Sequence, residues 1–409
     1  VPDGRIEPED PQRPFRLVVT GGGTGGHTYP ALTAVRALQA RLAEDGRALE
    51  ALWVGTAGGL ESRVAAAEQI PFAAVSTGKV RRSGNPLKLV SPANVRDMGR
   101  VPLGVAQARA LVAQARPDVV LATGGYVAVP IGLAARMCRR PLVVHEQTVR
   151  LGLANHVLAR AATRFAVSAE STLHYLPEAA RANAVVTGNP VRPEVLLGEP
   201  ERAVSALGLY GFDRRLPTVY VTGGAQGSQQ INGLIADLLP WLLSRANVVH
   251  QCGPVHEPAL RQQAAALGRE LGERYLVTGY VGAELPDVLA LADLVVSRSG
   301  AGTIAELTAL GKAAVLVPLA TAAGNEQAHN ARHLEATGAA VALIDAPSAA
   351  RLREALTPLL DDPARRTAMA ARSRAHGRPD AAERLVDVLL SAASSGLHPV
   401  AAPGAPAAH

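Results

Sequence analysis

The sequence predicts two doubly wound α/β domains in one chain, and three observations predict it. The first is a duplicated device, a strand that breaks into a glycine cluster and restarts as a helix. It reads Leu17-Val18-Val19-Thr20-Gly21-Gly22-Gly23-Thr24-Gly25-Gly26-His27, and again Val219-Tyr220-Val221-Thr222-Gly223-Gly224-Ala225-Gln226-Gly227-Ser228. The second is the alternation of short apolar strands with amphipathic helices after each device, the pattern of a parallel sheet covered on both faces. The third is length: 409 residues exceed one typical core. A glycine turn lets backbone amides at a helix N-terminus face an anion with no Cβ in the way. Two such turns suit an enzyme with two substrates, one of them phosphorylated.

The elements follow in order. Residues 1–14 are polar and proline-bearing and read as a disordered leader. The first domain, 15–190, carries strands over Leu17–Thr20, Ala51–Val54, Phe72–Val75, Asp118–Ala122, Pro141–Val144 and Arg164–Val167. Helices alternate with them over Tyr29–Glu44, Leu60–Gln69, Val101–Ala115 and Val129–Cys138. Thr187-Gly188-Asn189-Pro190-Val191-Arg192-Pro193 marks the connection, which extends to about Pro217. The second domain, 191–390, restarts with strands near Thr218–Val221, Val248–Gln251, Leu276–Thr278, Leu294–Val296, Ala314–Val317 and Ala340–Leu343. Its helices cover Gln229–Leu243, Pro258–Leu267, Gly302–Leu310 and Glu326–Ala336, and the last helices are expected to return to the first domain. From Ser394 to His409 the Ala, Pro and Gly content predicts a disordered tail.

Composition narrows the class. A hydrophobic fraction of 48% with 19% charged residues is that of a globular protein with a large core. Aromatics at 3% argue against base-stacking platforms, and the dispersed basic residues form no nucleic-acid recognition motif. A net charge of +6 is compatible with anionic lipid or phosphorylated substrates, and equally with a basic enzyme of no special partner. Cys138 and Cys252 show no metal-ligand spacing and read as thiols of a reducing compartment. No stretch reaches the eighteen or so apolar residues of a membrane span. The polar, acidic start is unlike a signal peptide, so a cytoplasmic protein is expected.

Gly21-x-Gly23-x-x-Gly26 matches the dinucleotide fingerprint, a weak signal alone. A nicotinamide site also wants an acidic residue ending the second strand, and Leu52-Trp53-Val54 runs instead into Gly55-Thr56. No Walker lysine follows either cluster. Dehydrogenases and P-loop NTPases are therefore disfavoured. His27 stands where the first cluster becomes a helix, at the strand edge where ligands collect. A histidine beside a positive helix end is favoured in its neutral form, which suits a general base; a lone histidine that merely packs locally is the competing reading.

Seven motifs follow one another in an order that resembles the MurG family of N-acetylglucosaminyltransferases, which complete lipid II in peptidoglycan synthesis. They are Thr20–Pro30, Thr123-Gly124-Gly125-Tyr126, Val144-His145-Glu146-Gln147, Leu151–Asn155, Thr187–Arg192, Gly223–Gly227 and Ser297–Ala301, and the resemblance covers roughly residues 15–390. It implies a GT-B fold, two Rossmann-like domains around a cleft, and inversion at the transferred sugar. It implies UDP-N-acetylglucosamine as donor, a lipid-linked muramoyl-peptide acceptor, and no cofactor or required metal. Glu306 then matches the acid gripping the ribose diol, although a helix-start glutamate can also serve only the helix dipole. Backbone at Ala301, Gly302 and Thr303 would bind phosphate, with Arg192 adding a fixed charge. Val281 falls at the main-chain contact to uracil, and Gln327 with Asn330 nearby at the sugar hydroxyls. Gly224, Ala225, Gln226 and Arg298 complete the donor side. Thr24, Gly25, Gly26, Tyr126, Thr148 and Asn155 join His27 in the first domain, with Glu146 as second candidate for the base.

Three departures bear on the substrate. Ala225 stands where relatives commonly have Ser, Thr148 where they have Asn, and Tyr126–Pro130 lacks the usual Ser-Gly before proline. A paralogue with another acceptor, a UDP-sugar epimerase and a non-catalytic binding protein are the competing readings. Between the third strand and the helix at Val101, Lys79, Arg81, Arg82 and Lys88 interleave with Leu87 and Leu89. That segment is expected to contact an anionic membrane surface, placing the enzyme peripherally on the inner face of the cell membrane.

Overall fold

The computed structural model describes residues 13–77 and 92–395. The basic segment from Lys79 to Leu89, most of the expected leader and nearly all of the expected tail lie outside the described residues. Two compact units divide the chain, one running to Gly188 and resuming at Ala381, the other spanning Asn189–Asp380. Arg13, expected in the leader, is instead fixed to Asp118 by paired bonds of 3.3 and 2.5 Å.

The first unit is built on β1 (Phe15–Thr20), β2 (Leu49–Gly55), β3 (Phe72–Ala74), β4 (Val119–Ala122), β5 (Leu142–Glu146), β6 (Arg164–Val167) and β7 (Ala184–Val186). All pair in parallel in the order β3-β2-β1-β4-β5-β6-β7. Strand order reverses at β1 and β4, which opens a ligand crevice at their carboxyl ends. The connecting helices are α1 (Gly25–Glu44), α2 (Leu60–Ala67), α3 (Pro92–Ala115), α4 (Ala128–Met137), α5 (Leu153–Leu158) and α6 (Glu178–Arg181). Strand β7 is absent from the sequence expectation, being three residues that run straight into the Thr187-Gly188-Asn189-Pro190 turn. Helix α1 starts at Gly25, four residues before the expected Tyr29, because packing overrides the poor helix propensity of glycine.

The second unit opens with α7 (Pro200–Leu207), inside what the sequence reads as connection. There follow β8 (Thr218–Thr222), α8 (Gln229–Leu243), β9 (Asn247–Gln251), α9 (Glu257–Ala265), α10 (Arg269–Gly272) and β10 (Tyr275–Thr278). Then come α11 (Leu285–Leu291), β11 (Leu294–Ser297), α12 (Ala301–Leu310), β12 (Ala313–Leu316), α13 (Glu326–Glu335) and β13 (Val341–Ala342). Helices α14 (Ala349–Asp361) and α15 (Pro363–His376) close this unit. Its strands are parallel in the order β10-β9-β8-β11-β12-β13, so the reversal falls between β8 and β11.

The last helix, α16 (Ala381–Ser395), belongs to the first unit. Its Leu385, Val386 and Leu389 share one core with Leu17, Val19 and Leu121 of the sheet and Leu38 of α1. Val18, Val120 and Val144 point the other way, into a core with Ile131 of α4 and Val112 of α3. Both faces are thus buried, as the unbroken apolar strands require.

Candidate active site

In the first unit the loops after β1, β4 and β5 meet at the reversal point. Gly22 N donates to Gly124 O at 3.4 Å, and Thr123 Oγ1 donates to the carbonyl of His27 at 2.8 Å. The loop is held from below by Glu61, the second residue of α2. Its fully buried carboxylate accepts from Gly23 N (3.2 Å), Thr56 N (3.0 Å) and Thr56 Oγ1 (2.6 Å). Burial alone would raise its pKa, yet these hydrogen bonds outweigh that and hold it below the usual value. Glycines make the room: a Cβ at Gly22, Gly55 or Gly59 would collide with the Glu61 side chain. The Gly23 amide is therefore spent on protein. Of this cluster, the Gly25 and Gly26 amides are the ones left without intrahelical acceptors, as first-turn groups.

Thr24 caps α1 through its backbone, its carbonyl accepting from Thr28 N and Thr28 Oγ1. His27 is the third residue of that helix. Its Nδ1 lies 3.0 Å from Gln147 Oε1, and its Nε2 has no partner among the described residues. The Tyr126 ring lies over Gly23, with Cε1 3.3 Å from where a Cβ would stand.

Glu146, at the end of β5, is buried and fully committed. Oε1 accepts from Thr148 N (3.1 Å) and Thr148 Oγ1 (2.8 Å); Oε2 accepts from Gly152 N (2.8 Å) and Asn155 Nδ2 (3.0 Å). It organises the 148–155 loop, and that leaves it poorly placed to take a proton from a ligand. Thr148 thus has a local partner. Asn155 also donates to His145 O at 3.1 Å, while its buried Oδ1 has no partner among the described residues. The site is polar to its core.

In the second unit the loop after β8 leaves Gly224, Ala225 and Gln226 exposed, and Ser228 caps α8 by accepting from Ile231 N at 3.3 Å. Gly224 has φ +88° and open space where a Cβ would be. Gln251, not singled out by the sequence, ties three pieces together. Its Nε2 donates to Gly224 O (2.9 Å), and its Oε1 accepts from Tyr220 Oη (3.0 Å) and Val281 N (3.1 Å). The Val281 amide is thereby engaged, leaving its carbonyl for any main-chain contact. Arg298 braces the two loops at the reversal, Nη2 to Ser228 Oγ (2.7 Å) and Nη1 to Gln230 Oε1 (2.8 Å) and Val317 O (2.9 Å).

Helix α12 presents its first turn, Ala301, Gly302 and Thr303, beside open space at Gly300 and Gly302. One turn on, Glu306 Oε1 accepts from Arg192 Nε (3.2 Å) and Nη2 (2.8 Å). Burial disfavours the Arg192 charge, but Glu306, Glu194 and Tyr280 keep its pKa raised. Two residues expected on separate parts of the donor are thus joined to each other. Gln327 and Asn330 tie α13 to two loops: Gln327 Oε1 accepts from Leu319 N (3.0 Å) after β12, while its carbonyl accepts from Ser299 Oγ (2.7 Å) and Asn330 Nδ2 donates to Ser299 O (3.1 Å) after β11. Among the described residues no cluster of three or more His, Cys, Asp or Glu could hold a metal.

The chain is similar to known proteins over most of its length. The glycosyltransferase family 28 N-terminal domain matches residues 17–167, and the C-terminal domain of that family matches 218–385. A crystal structure of Acinetobacter baumannii MurG superposes with a TM-score of 0.70 at 26% identity, over 92% of this chain and all of that one. A relative from Listeria monocytogenes is 35% identical over 379 residues, 92% of this chain and 99% of its own length. The chain belongs to the MurG family.

That Listeria protein carries the name UDP-N-acetylglucosamine--N-acetylmuramyl-(pentapeptide) pyrophosphoryl-undecaprenol N-acetylglucosamine transferase. So does a Roseiflexus protein 37% identical over 436 residues, 93% of this chain and 96% of that one. As a MurG family member the chain is a glycosyltransferase with the GT-B architecture of two doubly wound units. A UDP-N-acetylglucosamine 2-epimerase structure, at 17% identity and a TM-score of 0.60, shares the fold alone. Gly21–His27, Gly223–Ser228 and Ser297–Thr303 were visible from sequence because glycine marks a turn. Glu61 and Gln251 were not, and Gln147 stood out only as a motif member with no role of its own, though the glycines at 22, 55 and 59 are the trace that Glu61 leaves.

Proposed function

We propose that this MurG family member transfers N-acetylglucosamine from UDP-N-acetylglucosamine to a lipid-linked N-acetylmuramyl-pentapeptide, giving lipid II with inversion at the anomeric carbon. The observation that carries the proposal is the match over 92% of the chain to relatives bearing that name. Features within each unit support the role assigned to it. His27 Nε2 takes the proton of the acceptor hydroxyl as its oxygen bonds to the anomeric carbon. The bond from that carbon to the diphosphate breaks, and UDP leaves with the electron pair. The Ala301, Gly302 and Thr303 amides, at the positive end of α12, face the charge developing on the diphosphate. Glu306, oriented by Arg192, receives the ribose hydroxyls, and Gln327 with Asn330 shapes the loop beside the sugar.

In this proposal the enzyme works at the inner face of the cell membrane, with Lys79, Arg81, Arg82, Leu87, Lys88 and Leu89 as the contact and no cofactor or metal required. No helix among the described residues is long and apolar enough to cross a membrane, so contact by a peripheral segment is the mode proposed.

The test is mass spectrometry of products formed from UDP-N-acetylglucosamine with lipid-linked acceptors. A lipid product heavier by one N-acetylhexosamine, with UDP release that requires the acceptor, is expected. UDP or an epimeric sugar formed without acceptor would overturn it.

A further inference from the structure

The β5 motif holds a chain of polar groups that none of the roles above uses. His145 is fully buried, and its Nε2 lies 2.9 Å from Gly188 O. Its Nδ1 lies 3.0 Å from Gln147 Nε2, which also sits 2.9 Å from the carbonyl of His145. Gln147, itself buried, then reaches His27 Nδ1 through Oε1 at 3.0 Å. We propose that His145 and Gln147 form a one-way relay that locks His27 in its Nδ1–H tautomer, leaving Nε2 as the unprotonated nitrogen that meets the acceptor hydroxyl. This rests on the reading of His27 as general base and makes Gln147 and His145 its positioning residues.

The direction of every link is dictated from the buried end. Gly188 O can only accept, so the His145 proton is on Nε2. Burial pushes the pKa of His145 down to about 4, so the ring carries one proton and Nδ1 is a bare acceptor. Gln147 must then turn its amide NH₂ toward two acceptors, His145 Nδ1 and His145 O. That aims Oε1 at His27, and a carbonyl oxygen can face only a protonated Nδ1. Reversing the amide would set Oε1 against the His145 carbonyl. Reversing the His145 ring to compensate would set its bare nitrogen against Gly188 O. Either way two buried hydrogen bonds are lost, each expensive where water is excluded. The third group of a catalytic triad solves the same problem with a carboxylate. Here the orienting group is neutral, so the imidazolium formed during proton transfer gains a dipole partner and no buried negative charge is left behind.

Nitrogen-15 NMR of histidine-labelled protein at alkaline pH reads the tautomer directly, with the His27 signals assigned by their loss in His27→Asn. The expected spectrum shows His27 with protonated Nδ1 and bare Nε2. Gln147→Met keeps the side-chain length but removes both links. It should lower kcat by roughly tenfold to a hundredfold, below the roughly 10²–10⁴-fold worth of the base itself, and leave KM for the UDP-sugar unchanged. The same variant should give His27 signals averaged between tautomers. Finding Nε2 protonated in the wild type, or wild-type kcat and a single fixed tautomer in Gln147→Met, would overturn the relay. The wild-type spectrum decides even if the variant fails to fold. Near-wild-type turnover in His27→Asn, with Nδ1 still protonated in the wild type, would sink the general-base reading alone.

Discussion

Removing Arg192 and Glu306, singly and together, tests how the donor nucleotide is gripped. Glu306 spends Oε1 on both Arg192 bonds, while Oε2 has no protein partner among the described residues. A ribose hydroxyl donating to that carboxylate makes a charge-assisted bond of about 1.5–3 kcal/mol, so Glu306→Ala should weaken UDP by roughly 10- to 150-fold. The Arg192 side chain is 42% exposed and that of Glu306 21%, so solvent screens the pair and its value is about 1 kcal/mol. If the arginine acts by holding the carboxylate in position, Arg192→Ala costs about fivefold. The double variant is then no weaker than Glu306→Ala, and uridine suffers the same losses as UDP. Isothermal titration calorimetry with both ligands measures all eight affinities. Arg192→Ala that weakens UDP and spares uridine, with losses adding in the double variant, would refute this and put the guanidinium on the diphosphate.

Four further outcomes are expected. His27→Ala should lower kcat by roughly 10²–10⁴-fold with UDP affinity intact, whereas Glu146→Gln should lower the Tm, because its four donors serve the fold; wild-type turnover in the first or an unchanged Tm in the second would contradict the assignments. Glu61→Gln should cost about 1–3 kcal/mol in urea unfolding, since one amide NH₂ must face a donor. The folded pKa of Glu61 is depressed, so its contribution is present above the unfolded value of 4.5 and lost as pH falls through the folded value; that acid sensitivity should vanish in the variant. His145 and His250 are both pushed down to about 4 by burial. Their folded values lie below the unfolded 6.5, so the unfolded chain binds more protons between and stability falls with pH across that window. Each contributes about 3 kcal/mol of loss, and His250→Gln should flatten the Tm-against-pH curve; an unchanged slope would show that His250 is not buried neutral.

The strands and both glycine turns were legible because each has a local cause: a run of Val and Leu buried on two faces, or a backbone that only glycine tolerates. Gly224 at φ +88° is of that kind. Partnerships between distant residues were not legible. Arg298 and Ser228 stand seventy positions apart, Arg192 and Glu306 one hundred and fourteen, and nothing local marks either pair. Glu61 illustrates the failure most plainly. At a helix start a glutamate reads as a solvated charge serving the dipole, yet this one is completely buried because three glycines leave it a socket. Gln147 reads as part of a motif, and its polarity emerges only once Gly188 is seen to close the far end of the chain.

Helix α16 gives the molecule an unusual order of assembly. Residues 189–380 hold everything their own sheet needs, and they leave the ribosome before Ala381 does. The first unit, though its strands are synthesised earlier, has α1 over β1 and β2 but waits with the same face of β4, β5 and β6 uncovered until Leu385, Val386 and Leu389 arrive. The nascent amino-terminal half must therefore carry an uncovered apolar patch on β4, β5 and β6 through the whole translation of its neighbour. Truncation before Ala381 would leave that face permanently wet, making the last helix the step that completes the first half of the protein.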